Sequence, residues 1–325
     1  MGLDVAVIGA ANVDLVVRPS GEALAGISNP SAMGLRYGGA GRNVACCLAG
    51  LGRSVSLNVA LGADADGEGL AADPAARGVT LDRLAAEGRT GRYVAILGED
   101  GELDRAYNDM AIHEATAALP ETNEAAMAEA RWWFADANLS SALLEDIALR
   151  EARPALAVHT VSTPKAVRLA GLLDRVDILF ANQREAEALL RHEEAELSLA
   201  RAGALARELL GKGPSIVAVT ASAAGAALAV EDRLFSAAAP AVDVVDIVGA
   251  GDAFAAGFLS AIIAGEGPEG WLRTGIAAAA ITVGSAETAP AGLTADAIAG
   301  LAGGIAVEVA GEITGEMTGD GSAPA

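Results

Sequence analysis

Several residue types are scarce in this chain, and each scarcity excludes something. Aromatics make up 3% of the 325 residues, so the apolar interior must be filled by Val, Leu, Ile and Ala, as in helix-covered parallel sheets. The hydrophobic fraction of 52% overstates the bulky part of that filling, because 77 residues are alanine. The two cysteines, Cys46 and Cys47, are adjacent. Neighbours in sequence rarely close a structural disulfide, and no second pair completes a metal site. A reduced, cytoplasmic protein is expected. His113, His159 and His192 lack metal-ligand spacing, and surface or packing roles are expected for all three. Basic residues number 22 against 43 acidic ones, a formal net charge of -21, which argues against a nucleic-acid partner held by a broad basic face. No apolar run free of Gly and charge reaches the roughly 18 residues of a membrane span. The N-terminus enters Asp4-Val5-Ala6-Val7-Ile8-Gly9 directly, without the basic region and cleavage site of a signal peptide.

What is present is a rhythm of short apolar runs and helix-like stretches. Val5 to Gly9, Val13 to Val17 and Val55 to Leu61 read as strands. Residues 19–37 are rich in Pro, Gly and Ser and read as a loop. A helix is expected from the Gly38-Gly39-Ala40-Gly41-Arg42-Asn43 stretch through Leu51, stopping at Gly52. Residues 91–97 and 102–107 flank Glu99-Asp100-Gly101, whose Asp-Gly pair signals a hairpin. With residues 11–18, that hairpin predicts a small β lid off the main sheet. Trp132 to Ala135, Leu156 to Val161, Ile178 to Ala181 and Ile216 to Val219 read as strands with helical stretches after them. Trp132-Trp133-Phe134 is expected to pack into the core. Ala226 to Val230 and Leu234 to Ala238 suggest an antiparallel pair, and 252–264 and 270–283 suggest helices. Strands alternating with helices imply an α/β, doubly wound, mainly parallel sheet flanked by helices. Residues 1–310 are expected to form it, and the acidic stretch 311–325 a frayed tail.

The stretch richest in chemistry is Asp246-Ile247-Val248-Gly249-Ala250-Gly251-Asp252, preceded by the strand-like Val242 to Val245. Gly249, Ala250 and Gly251 permit a tight turn with several amide hydrogens facing one point, and a helix N-terminus adds partial positive charge there. That combination is an anion hole. A carboxylate at Asp252 would repel a phosphate, yet it is useful if it takes a proton from a hydroxyl attacking that phosphate. An Asp simply capping a helix after a Gly turn is the plainer reading. No Walker A motif occurs, because Gly211-Lys212 is followed by Gly213.

This stretch resembles the carboxy-terminal signature of the ribokinase-like (phosphofructokinase B type) sugar and nucleoside kinases, with Ile247 where that family usually has Thr. The Gly38-Gly39-Ala40-Gly41-Arg42-Asn43 stretch is similar to its amino-terminal glycine signature. A dinucleotide fingerprint fails there, because Val44 takes the third glycine's place. Gly9-Ala10-Ala11-Asn12-Val13-Asp14 resembles the family's first strand and turn. Asn182-Gln183-Arg184-Glu185 matches its Asn-x-x-Glu element, which alone would be a capping box. Val219-Thr220-Ala221-Ser222-Ala223-Ala224-Gly225 resembles its phosphate-side turn, with Ser222 where Gly is usual. The resemblance covers about residues 4–300 and implies the ribokinase-like fold with ATP and Mg²⁺ as cofactors, and K⁺ as a further cation. Asp252 is implied as general base beside the Gly249, Ala250 and Gly251 amides. Asn12, Asp14, Gly39, Gly41 and Asn43 are implied for the substrate, and Asn182, Thr220, Gly225 and Ser285 for the nucleotide. Glu185 is implied to organise water around Mg²⁺, and Asp246, near Ser285, to face the monovalent cation. A homodimer through the lid is implied as well.

Within that family, three details look most like pseudouridine kinases. They are the Asn29-Pro30 loop leading to Gly-Gly-Ala-Gly-Arg-Asn, Asn108-Asp109-Met110, and Thr160-Val161-Ser162-Thr163-Pro164-Lys165. Lys165 is one of two lysines among 22 basic residues, so a compact ammonium there suggests a specific contact. Pseudouridine presents ring N–H groups and carbonyls; Lys165 or Ser162 suits a carbonyl and Asn108 or Asp109 an N–H. The expected activity is phosphorylation of the 5′-hydroxyl of pseudouridine. The rivals are a related kinase for ribose, fructose, uridine or adenosine, and a non-catalytic ligand-binding protein on the same fold.

Overall fold

Short apolar runs separated by helical stretches bury both faces only as parallel strands covered on each side by helices. A computed structural model, which describes residues 2–24, 26–98 and 103–310, has that arrangement. Its strands begin with β1 (Val5–Ile8), β2 (Asn12–Pro19), β3 (Ser31–Gly38), β4 (Val55–Val59), β5 (Thr80–Arg83), β6 (Gly91–Leu97) and β7 (Leu103–Asp109). They continue as β8 (Trp132–Asp136), β9 (Ala155–His159), β10 (Ile178–Asn182), β11 (Ile216–Thr220), β12 (Ala226–Val230), β13 (Arg233–Ala237) and β14 (Glu308–Ala310). The main sheet runs β14-β13-β12-β11-β10-β9-β8-β1-β4-β5. Every pairing from β5 through β11 is parallel, and β12 to β14 close that edge antiparallel. The longer helices are α1 (Ala40–Gly50), α2 (Ala65–Ala76), α3 (Ser141–Leu149), α4 (Gln183–Leu190), α5 (Leu199–Leu210), α6 (Ala250–Ile263), α7 (Pro268–Val283) and α8 (Ala295–Ala302).

Both faces of the sheet are buried, so the strands split their side chains between two cores. Val5 and Val7 of β1 join one core with Leu57, Phe134 and Phe180, while Ala6 and Ile8 join the other with Trp133 and Val158. Trp133 and Phe134 therefore both pack inward, on opposite faces. The abundant small residues let helices approach closely. A Cβ on Gly257 of α6 would lie 2.7 Å from the Cβ of Ala278 on α7. No helix among the described residues is long and apolar enough to cross a membrane.

The lid is a four-stranded sheet in the order β3-β2-β6-β7. The expected β2 and the β6/β7 pair are present, but residues 19–37 are not all loop. Ser31–Gly38 pairs antiparallel with β2, from Asn12 opposite Gly38 to Pro19 opposite Ser31. Glycine and serine lower the local preference for a strand, yet the neighbouring edge of β2 supplies a full ladder, and the ladder prevails. The converse holds at Val242 to Val245. That apolar run finds no strand partner, and Val244 and Val245 are exposed. The Glu99-Asp100-Gly101 signal and the acidic tail from Gly311 lie outside the described residues.

Gly39 leads into α1 with φ of 95° where lid meets sheet, and a Cβ there would lie 2.5 Å from both the Ala10 carbonyl oxygen and Ala11 Cα. Backbone, unlike a flexible side chain, cannot give way cheaply. Gly39→Ala is expected to destabilise the protein by about 2–3 kcal/mol, read as a lowered midpoint in urea unfolding. A midpoint equal to wild type would mean that the crossing tolerates a side chain.

Candidate active site

In parallel α/β sheets the carboxyl ends of the strands, near the point where chain order reverses, leave a crevice. Here β1 is flanked by β8 on one side and β4 on the other, and a cleft of about 520 Å³ opens along that edge. Thr220 ends β11, Asn182 ends β10 and His159 ends β9, and Asn138 follows β8; all four line it. Asn12 and Asp14 of β2, with Gly39 and Asn43, line the lid side, and Gly249, Gly251 and Asp252 line it at the start of α6. A second, more apolar cavity of about 530 Å³ shares Thr220, Ser222, Gly251 and Phe254 with the first. Gly225, Val242, Ile247, Ala250, Ile276 and Ala280 extend it, a lining that suits a flat apolar ring.

Gly249 enters α6 with φ of 86°, packed so closely that a Cβ would lie 2.5 Å from the Thr288 carbonyl oxygen. Asp252 falls in the first turn of α6, where the helix dipole favours a carboxylate. It is 8% exposed. The Asn43 amide donates to its Oδ2 at 2.8 Å. That amide's orientation follows from its neighbours: Thr288 Oγ1 donates to Asn43 Oδ1 at 2.9 Å and Arg42 Nη1 at 3.0 Å, leaving the NH₂ for Asp252. Arg42 is in turn fixed by Asp73, which accepts from its Nε and Nη2 at 3.1 and 2.6 Å. The α1 approach needs glycine on both sides, since a Cβ on Gly41 would lie 2.7 Å from Gly9 Cα. Gly41 therefore shapes the site from behind without lining the cleft.

His159 contradicts the expectation of a surface or packing role. Its Nδ1 lies 3.3 Å from Asp252 Oδ1. Burial alone would lower the imidazole pKa, but the Asp252 contact and the charges of Asp252, Glu185 and Asp136 outweigh it, and the net shift is upward. Glu185 lies in the cleft wall as the third residue of α4. Its Oε2 accepts from the Asn182 amide at 3.0 Å and from Thr160 Oγ1, and its Oε1 accepts from Asn182 Nδ2 at 2.7 Å. The plain capping box is thus present, with three donors spread over about four acceptor positions. One position remains for a water, which suits Mg²⁺, a cation that keeps several waters and binds largely through substrate phosphates.

On the lid side, Asn12 Nδ2 donates to Asp14 Oδ1. Gly38 is bare because its Cβ would lie 2.3 Å from Asp14 Oδ2. Burial pushes the Asp14 carboxyl up to about 6, against the Asn12 hydrogen bond and the Arg36 and Arg42 charges. Lys165 does not line the cleft. It donates to Asn138 Oδ1, and Asn138 forms the wall. Burial lowers the ammonium pKa, with Asp136 opposing. Ser162 precedes the short turn holding Lys165 and stays outside the lining. Asn108 and Asp109 sit exposed on β7, opposite Tyr93 and Arg92, away from the lining.

Three further residues differ from expectation. Asp246 is already engaged: Arg36 Nη1 donates to its Oδ2 at 2.7 Å and the Val248 amide to its Oδ1 at 3.0 Å. Ser285 accepts from the Glu287 amide at 3.0 Å and lines neither cavity. A monovalent cation there would compete with a guanidinium. The Ala250 amide turns back to the Ile247 carbonyl at 3.3 Å and Ala250 lines the second cavity, so on this turn it is Gly249 and Gly251 that line the cleft. Arg36, His159 and Asn138 were missed from sequence. A signal existed for two of them, because each sits at or just past the carboxyl end of a parallel strand.

The pfkB family of carbohydrate kinases matches residues 3–295. Over 274 residues the chain is 34% identical to the ATP-dependent ribose-1-phosphate kinase of Halopiger xanaduensis, covering 81% of this chain and 85% of that enzyme. Over 188 residues it is 34% identical to the pseudouridine kinase of Escherichia coli, covering 57% of this chain and 60% of that enzyme. The latter match thus spans less than two thirds of its relative. A carbohydrate kinase from Agrobacterium tumefaciens has a similar structure, with a TM-score of 0.83 at 31% identity, over 95% of this chain and all of that one. Arabidopsis thaliana ribokinase, solved with ribose and ATP, shares the fold with a TM-score of 0.80 at 23% identity, over 93% of this chain and 99% of that one. With the ribokinase-like sheet, the glycine turn and Asp252 in place, the chain belongs to the pfkB family of carbohydrate kinases, phosphotransferases with an alcohol group as acceptor.

Proposed function

We propose that the protein phosphorylates the 5′-hydroxyl of pseudouridine with ATP. The observation that carries this reading is a carboxylate, Asp252, held by Asn43 at the start of α6 beside the Gly249 and Gly251 backbone, in a cleft between a polar lid wall and an apolar cavity. In the reaction, the hydroxyl proton passes to a carboxylate oxygen of Asp252. The hydroxyl oxygen forms the new P–O bond, and the bond between the transferred phosphorus and the bridging oxygen of ADP breaks. The amides of Gly249 and Gly251 would face the phosphoryl oxygens. Asp14 and Asn12 would accept and donate at the ribose hydroxyls. Asn182, Thr220 and Gly225 would border the nucleotide. Mg²⁺, through water on Glu185, would supply charge neutralisation at the phosphates. A K⁺ ion at Asp246 and Ser285 would first have to displace Arg36.

Asn108, Asp109, Ser162 and Lys165, the residues expected to read a base, do not line the cleft, so the preference for pseudouridine over a sugar phosphate rests on charge. Ribose 1-phosphate carries its own dianion, which a free cation beside the acceptor would favour. Arg36 is engaged by Asp246, Lys165 by Asn138, and Arg184, which lines the cleft, by Glu194. The ribose-1-phosphate kinase relative nevertheless makes that substrate the second reading. A cytoplasmic location and a dimer belong to the same proposal. Met33, Leu35 and Tyr107 are exposed on lid strands and support pairing of two lids; sedimentation as a monomer would remove the dimer.

Asp252→Asn is expected to keep ATP binding and to lower turnover by about 10²–10⁴-fold, measured as ADP release. Near-normal turnover would exclude Asp252 as the base. A panel of pseudouridine, uridine, adenosine, ribose, fructose and ribose 1-phosphate with ATP decides the acceptor, and ribose 1-phosphate turnover without pseudouridine turnover would transfer the assignment to the second reading. The Asp14 carboxyl sets an acid limb. Below about 6 it is protonated and weakens as an acceptor, so kcat/KM for the hydroxyl substrate is expected to fall as pH drops through that value. Asp14→Asn is expected to lower kcat/KM and to abolish this limb; an unchanged limb would assign it elsewhere.

A further inference from the structure

His159 is not accounted for by any step above, although it is the group nearest the Oδ1 edge of the candidate base. It ends β9, the strand between β8 and β10 in the main sheet. The chain is held at this point by the next residue, Thr160, whose amide donates to the Phe180 carbonyl at 3.1 Å and whose hydroxyl donates to Glu185. The ring is 12% exposed and lines the cleft. Its Nδ1 is buried and has no hydrogen bond of good geometry in the protein; its approach is the 3.3 Å ion-pair contact to Asp252 Oδ1. The opposite edge of the ring lies against the glycine turn: a Cβ on Gly251 would be 3.5 Å from Nε2 and 3.6 Å from Cε1. Asp252 is therefore approached at both oxygens, hydrogen-bonded by Asn43 at Oδ2 and in ion-pair range of His159 at Oδ1.

We propose that His159 is a positioning residue for phosphoryl transfer, a cation that holds the Asp252 carboxylate at a fixed rotation between Asn43 and the Gly251 turn. This rests on the kinase reading of Asp252. A carboxylate gripped on one side only can swing about its last torsion, and misplacement of a reacting group by about 1 Å costs on the order of 10²-fold in rate. Each carboxylate oxygen retains a second lone pair, so the grip leaves room for the substrate proton. The charges facing the ring are all negative: Asp252 from α6, Glu185 from α4 and Asp136 at the end of β8. They favour imidazolium over imidazole, which is the form that can grip a carboxylate. The grip weakens when the ring loses its proton, so turnover is expected to decline as pH rises through the raised pKa of His159.

Two measurements test this. In the ¹⁵N spectrum of the wild-type protein, the His159 ring is expected to titrate above the ordinary value of about 6.5, and in Asp252→Asn its midpoint is expected to fall. In steady-state kinetics, His159→Leu is expected to lower kcat by about 10- to 100-fold with KM for ATP little changed. His159→Asn, which restores a neutral donor near the position of Nδ1, is expected to recover most of that loss and to show no decline at high pH. Identical His159 titration in wild type and Asp252→Asn would overturn the proposal, as would a His159→Leu enzyme with wild-type kcat and pH profile. If the ring titration responds to Asp252→Asn but no acceptor in the panel is phosphorylated, the pairing stands and the kinase reading fails.

Discussion

The hydrogen bond from Asn43 to Asp252 spans 209 positions of the chain, and much of the remaining structure serves to make it possible. A carboxylate buried to this degree is costly unless it is paired or hydrogen-bonded. Its partner sits on α1, so the starts of α1 and α6 must meet at one edge of the sheet. Bare backbone permits that meeting at two places, Gly41 against Gly9 and Gly249 against Thr288. Thr288 then serves twice, with its backbone against Gly249 and its hydroxyl on Asn43. The Arg42–Asp73 pair anchors the same network from the far side. Loss of one member would leave a buried charge without its counterpart, which is the expensive way to disrupt an ion pair.

The alanine excess acquires a physical role from the same constraint. Helices α6 and α7 lie close because Gly257 meets Ala278 and Gly275 meets Phe254. Larger side chains would push α6 away from the sheet and move Asp252 with it. The acidic charge of the chain is compatible with a polyanionic substrate for a similar reason. Asp14, Glu185 and Asp252 outnumber Arg184 and His159 along the cleft, so phosphate binding cannot depend on a field of lysines. In the proposed reaction it would depend on backbone amides at a helix start, and on a divalent cation, each acting over a few ångströms.

Sequence patterns revealed those elements whose local preference agreed with their tertiary setting. The strands of the parallel sheet were legible because both faces are buried and the runs are almost wholly apolar. β3 was not, because Met33-Gly34-Leu35-Arg36 carries a glycine and an exposed alternation that only β2 stabilises. That one misreading hid Arg36, and with it the ion pair that competes for Asp246. The glycine turn and Asp252 were legible because an anion hole with a carboxylate needs residues of few kinds at fixed spacing. Asn43 was legible only through family resemblance, since an asparagine in a helix has no intrinsic signal. His159 was hidden by a rule that looked for metal spacing. Its meaning comes from where β9 ends, and strand ends are the least certain feature of a sequence reading.

Two of the four non-glycine residues with positive φ among the described residues lie at the same edge. Val161 and Ser222 adopt left-handed conformations, with φ of 67° and 54°, and both line the cleft. A β-branched residue in that region is costly, on the order of 1–3 kcal/mol. At Val161 the cost is imposed by its neighbours. Thr160 is tied to the Phe180 carbonyl and to Glu185, and Ser162 turns back through its amide to the Thr160 carbonyl at 2.8 Å. The chain must leave β9 abruptly, so that His159 faces Asp252 while Lys165 reaches Asn138. A relaxed extended residue at 161 would carry the chain onward, away from the cleft. The strain is therefore the local consequence of bringing one loop to two sides of a single site, and tight bonding of Thr160 is what keeps it in place.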